Sequence, residues 1–147
     1  DVLGESSKLD YTILATDLST EVLQTARRGI YTSDMVAPVP PDMRARYVMT
    51  AIDASRRDVR IHPNLRSRVG FARLNLMDQN YGIGDPMHIV FCRNVLIYFD
   101  KPTQHRVLTR LVDCLIPGGY LFIGHSETVT GFDLPIRQVA NTVFEKV

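Results

Sequence analysis

Two kinds of segment alternate along the chain: short apolar runs that end on polar residues, and longer stretches with apolar residues three or four apart. Residues 1–9 are polar and small, without periodicity, and fit a loop or a frayed helix end. Tyr11–Thr16 predicts a strand ending at Asp17, followed by a helix capped by Ser19 or Thr20 with Glu21 in its first turn. Val22, Leu23, Ala26 and Ile30 supply its apolar stripe, and Gly29 its stop. Pro38, Pro40 and Pro41 argue against any helix or central strand through 31–43. Residues 44–52 and 59–62 predict two short strands around a polar turn at 53–58, a hairpin that Pro63-Asn64 breaks. Residues 69–76 predict a strand ending at Asn75.

The next run, Met87 to Phe91, is dense in branched and aromatic residues, as in a parallel strand buried on both faces. Arg93 and Asn94 interrupt it side by side. A cation and an amide are costly to bury unpartnered, so they belong where the strand leaves the core. In an open α/β sheet ligands bind there, at the carboxyl ends of strands. Pro102 suits the first turn of a helix with the stripe Val107, Leu108, Leu111, Val112 and Leu115, which Pro117-Gly118-Gly119 ends. Residues 120–124 predict a strand leading to His125-Ser126-Glu127. Residues 136–140 and 142–147 predict two antiparallel strands, since no crossover helix fits between them.

Four strand ends thus carry polar groups: Asp17, Asn75, Arg93 with Asn94, and His125 to Glu127. An acid closing a strand in a mononucleotide-binding half suits ribose, and an amide can read an adenine edge or the sugar. Each also has a plainer role: a cap for Asp17, a turn former for Asn75, a packed ring for Tyr98, a cap or solvated acid for Glu127. Arg93 is harder to explain that way, because a structural arginine there needs an acid partner.

Composition adds bounds. The chain has 147 residues, 45% hydrophobic and 22% charged, enough for one globular domain if it is complete. A net charge of +1 gives no case for nucleic-acid binding, although arginines cluster over 44–73. Cys92 and Cys114 lack metal-ligand spacing and are expected to be buried thiols. There is no signal-peptide pattern and no apolar run near the roughly 20 residues of a membrane span, so the expected location is the cytoplasm, without membrane insertion.

Ala15-Thr16-Asp17-Leu18-Ser19-Thr20-Glu21-Val22-Leu23, then Asn75-Leu76, then Phe91-Cys92-Arg93-Asn94-Val95-Leu96-Ile97-Tyr98-Phe99, then Gly124-His125-Ser126-Glu127 resemble, in order, the bacterial chemotaxis receptor methyltransferases. The resemblance implies a Rossmann-like α/β domain with a mostly parallel sheet, an antiparallel last strand and a small inserted β-subdomain at about 44–68. It implies S-adenosylmethionine as cofactor and methyl transfer to glutamate side chains of chemoreceptors. By position, Asp17 would hold the ribose, and Asn75 and Leu76 the adenosine part. Arg93 and Asn94 would line the cofactor and reaction centre, with Tyr98 near the transferred methyl. In some members the inserted subdomain docks a short receptor peptide.

The family's first strand and glycine loop have no counterpart in these residues, so 1–147 is expected to be part of the catalytic domain. A truncated product, a partner chain that supplies the strand within an oligomer, and a rearranged sheet are the alternatives. A non-catalytic module that binds a receptor or signalling partner, with a vestigial cofactor site, is the competing function. A small-molecule methyltransferase fits less well, because the match extends beyond cofactor positions.

Overall fold

The structure is a computed structural model that describes residues 10–53 and 55–147; segment 1–9 lies outside the described residues. The chain divides into two units, Asp1–Asn75 and Leu76–Val147.

In the first unit, β1 (Ile13–Asp17) leads into α1 (Thr20–Arg28). The Ser19 hydroxyl caps the helix by accepting from the Val22 N–H at 3.3 Å. Gly29 ends it at φ 61°, a left-handed turn that glycine adopts without strain, and its N–H donates to the Thr25 and Ala26 carbonyls. That stop comes one residue too early for Ile30 to join the helical stripe. Ile30 opens β2 (Ile30–Thr32) instead, and of the predicted stripe Leu23 is the buried member.

The proline-rich stretch is also more ordered than its composition suggests. A 3-10 turn covers Ser33–Val36, and Pro41 starts α2 (Pro41–Tyr47), where its missing N–H is not needed. Residues 44–47 are therefore helical and not strand. The strand begins only at β3 (Val48–Thr50), which pairs antiparallel with β4 (Asp58–Ile61). The expected hairpin gains a third strand, because β2 pairs with the other edge of β4. A short α3 (Pro63–Arg66) follows. Then β5 (Val69–Arg73) runs parallel to β1, from Ile13 opposite Val69 to Asp17 opposite Arg73.

The second unit is a four-stranded sheet, in the order β6 (Met87–Cys92), β7 (Leu115–Ile123), β9 (Val143–Lys146), β8 (Ile136–Ala140). The β6–β7 pair is parallel, and the last two strands are antiparallel as predicted. Between them runs α4 (Lys101–Asp113), capped by the Asp100 carboxylate on the Thr103 N–H at 3.0 Å. Val107, Leu108, Leu111 and Val112 on α4 meet Cys92, Leu115, Leu121, Ile123 and Phe144 of the sheet in one buried cluster.

Two expectations fail here. Pro117-Gly118-Gly119 does not terminate α4, which ends at Asp113; those residues form an irregularity inside β7, where the register moves from Met87 opposite Leu115 to Ile89 opposite Tyr120. And β6 is not buried on both faces. Val90 and Cys92 face α4, but Ile89 and Phe91 remain 50% and 68% exposed, with the Phe91 ring stacked on Phe122 at 4.7 Å. An apolar run reports hydrophobicity on both faces, whereas α4 covers one.

Candidate functional site

At the carboxyl end of β6 the chain leaves the core as predicted. Cys92 is the last buried residue of the strand; Arg93 and Asn94 follow it into solvent. Asn94 adopts φ 60°, a left-handed conformation that asparagine tolerates better than most residues. The chain then makes a 3-10 turn, Leu96–Tyr98, in which Leu96 is buried and Tyr98 is 81% exposed.

What fixes this turn is Glu127. Its side chain is buried, and its carboxylate collects four backbone N–H groups. Oε1 accepts from Val95 at 2.8 Å and Leu96 at 2.7 Å, and Oε2 from Asn94 at 3.1 Å and Gly124 at 2.6 Å. Three consecutive N–H groups turned to one side make an anion-binding concavity, and here the chain fills it with its own carboxylate. A buried carboxylate without such donors would be strongly disfavoured. Gly124 leaves the room for this. A Cβ there would lie 2.5 Å from Asn94 Oδ1, 2.7 Å from Glu127 Oε2 and 2.9 Å from the Asn94 nitrogen.

The structure thus joins the Arg93-Asn94 end of β6 to the His125–Glu127 end of β7. Arg93, Asn94, His125 and Ser126 are exposed, while Glu127 is the buried tie. From the sequence alone Glu127 reads most plainly as a cap or solvated acid. The available signal was an acid at a fixed offset after Gly124 at a strand end, which does not say whose N–H groups it caps.

Burial and the Glu127 charge together push the neighbouring Cys92 thiol up to about 11. Cys114 is partly buried, and its thiol is also raised, chiefly by burial. A raised thiol favours the folded state while both forms are protonated, and that contribution declines as pH climbs from about 9 toward 11. Cys92 is therefore expected to resist iodoacetamide at pH 7.5, reacting at least roughly a hundredfold more slowly than in urea. Mass-spectrometric alkylation timed in both conditions checks this; equal rates would contradict it.

In the first unit Asp17 closes β1 and is exposed. Its Oδ1 accepts from the Ser19 N–H at 2.8 Å, and no described residue donates to Oδ2. A carboxylate held this way can still accept from vicinal hydroxyls. The Leu74 N–H donates to the Asp17 carbonyl at 3.1 Å, which carries the chain just past the strand end to Asn75. In the second unit the Leu76 carbonyl accepts from the Tyr81 hydroxyl at 2.9 Å, and its side chain packs partly buried against the core. An open groove of about 480 Å³ between the 79–86 loop and Arg110, Asp113 and Cys114 contains none of the strand-end groups. Among the described residues no cluster of His, Cys, Asp and Glu could hold a metal ion, and no helix is long and apolar enough to cross a membrane.

In each unit polar groups follow the carboxyl end of a parallel strand, Asp17 after β1 in the first and Arg93 with Asn94 after β6 in the second, which is where open α/β sheets bind ligands. Residues 1–144 match the family model described as CheR methyltransferase, SAM binding domain. The chain belongs to the CheR methyltransferase family.

It is 42% identical over 144 residues to the chemotaxis protein methyltransferase of Klebsiella aerogenes, covering 98% of this chain and 49% of that protein. Chemotaxis protein methyltransferase 2 of Pseudomonas aeruginosa is 37% identical over 132 residues, 90% of this chain and 47% of that protein. The Escherichia coli chemotaxis protein methyltransferase is 39% identical, with 90% and 46% covered. The chain spans about half the length of the curated relatives it matches.

Proposed function

We propose that the intact protein transfers a methyl group from S-adenosylmethionine to glutamate side chains of chemoreceptor cytoplasmic domains, forming methyl esters, and that it works in the cytoplasm. The observation that carries this is similarity over 98% of the chain to a chemotaxis protein methyltransferase. On this proposal residues 1–147 are part of the catalytic domain. Asp17, Asn75 and Leu76 are assigned to the nucleoside part of the cofactor, and Arg93 and Asn94 to the cofactor and reaction centre. The β2–β4–β3 sheet, with Arg56, Arg57 and Arg60 in or beside it, is assigned to the inserted subdomain, a surface suited to an acidic receptor segment.

The chemistry asks little of acid–base groups. When bound, S-adenosylmethionine supplies an electrophilic methyl on a sulfonium. A glutamate side chain is already ionised at neutral pH and needs no strong base. Positioning and exclusion of water are what the chain must provide. Arg93 is assigned to orient the acceptor carboxylate, and the exposed Tyr98 ring to border its approach. Both are positioning groups.

Arg93→Ala in the full-length protein is expected to lose at least about a hundredfold in methyl transfer to a receptor fragment. Its thermal midpoint should hold, because Arg93 is exposed and pairs with no described carboxylate. Wild-type turnover in that variant would remove Arg93 from the mechanism. Calorimetry with S-adenosylhomocysteine tests the rest. Binding by the full-length protein supports the enzyme; no binding favours the non-catalytic partner-binding module.

A further inference from the structure

We infer that Glu127 is the positioning residue of this site: its carboxylate locks the Asn94–Leu96 backbone and so sets the direction in which Arg93 and Asn94 are presented. The inference rests on the proposed methyl transfer for its functional consequence, and on geometry alone for the lock.

Three observations converge. Asn94 sits at φ 60°, a left-handed turn that sends the N–H groups of the following residues to one side. The N–H groups of Asn94, Val95 and Leu96 all end on one buried carboxylate, reached from a segment 31–33 residues further along the chain. The fourth donor, Gly124, belongs to the same β7 end that supplies Glu127, so the carboxylate staples two adjacent parallel strand ends.

The arrangement also separates roles. With the concavity filled by Glu127, these backbone N–H groups are not available to a substrate or cofactor carboxylate. Recognition of an anion at this strand end falls to side chains, Arg93 first. Glu127 is equally withdrawn from chemistry, since both its oxygens are engaged and its side chain is buried. Four N–H donors require an acceptor on both oxygens. A carboxylate offers that, whereas the amide of Gln presents an NH₂ to two of them. Charge, and not size, is the property at stake.

Two measurements on the full-length protein decide this. In hydrogen exchange, Glu127→Gln is expected to accelerate Asn94–Leu96 by at least about tenfold while α4 and β9 keep their protection. Unchanged exchange at these amides, or a rise spread through the whole unit, would overturn the lock. In calorimetry, Glu127→Gln is expected to weaken S-adenosylhomocysteine binding about tenfold or more at a temperature where the variant is fully folded. In Arg93→Ala/Glu127→Gln the combined loss should fall clearly short of the product of the two single losses, because the lock acts in part through Arg93. Losses that multiply would assign Glu127 a purely structural role and overturn the positioning claim. If the wild-type protein fails to bind S-adenosylhomocysteine, the methyltransferase proposal falls, and hydrogen exchange still decides the lock.

Discussion

Gly124→Ala is expected to destabilise the protein by about 3–4 kcal/mol, one of the largest single-residue effects in the second unit. The added methyl has no space: it would press on the Asn94 side chain, the Asn94 nitrogen and the Glu127 carboxylate at once. Two of these contacts are with backbone or with a carboxylate already holding four N–H groups, so neither can simply swing aside. Relief requires moving Glu127, which leaves the buried Leu96 N–H and the half-buried Val95 N–H without their acceptor. Urea unfolding of the full-length protein, followed by a probe in the 76–147 unit, measures this. A shift below about 0.5 kcal/mol would show that the turn yields, and that the staple is weaker than its hydrogen bonds suggest.

Leu121→Ala should cost about 3 kcal/mol for a different reason, loss of packing. Leu121 is fully buried on β7 within the cluster that α4 and the sheet share. Parallel β6 lies on one side of its strand and antiparallel β9 on the other, so the backbone around it has little freedom to collapse into the space. Val139→Ala on β8 is the matched control. Val139 is 45% exposed, and its loss should stay near about 0.5 kcal/mol. Equal losses at the two positions would mean that the buried cluster does not hold the unit together.

Local signals in the sequence located most elements well. Ser19 and Gly29 bracket α1, Pro102 lies in the first turn of α4, and the close spacing of the last two apolar runs makes them antiparallel. Each depends on chemistry within a few residues. Tertiary pairing decides the outcome elsewhere, against the local signals. Arg44 to Tyr47 could serve either helix or strand, and Pro41 at the first helical position tips them to helix. Ile30 looked like a helical residue until β4 offered it a partner. Pro117-Gly118-Gly119 reads as a stop, yet β6 holds it in the sheet as an irregularity.

The site shows the same division. Arg93 and Asn94 were legible because a cation and an amide cannot continue a buried run. Asp17 was legible as the acid that closes a strand. Glu127 was not, because its four partners are backbone N–H groups, three of them contributed by a segment more than thirty residues away. No side-chain pattern announces them. Only the register of β6 against β7 brings that acid beneath the Asn94 turn.

Methyl transfer to receptor glutamates is measured most directly by incubating the full-length protein with methyl-labelled S-adenosylmethionine and a chemoreceptor cytoplasmic fragment, then scoring base-labile label on the receptor. The expected result is label that alkali releases as methanol and that is absent when the acceptor glutamates are replaced by alanine. No transfer to the receptor by a protein that binds S-adenosylhomocysteine, or label unchanged by removing those glutamates, would contradict it.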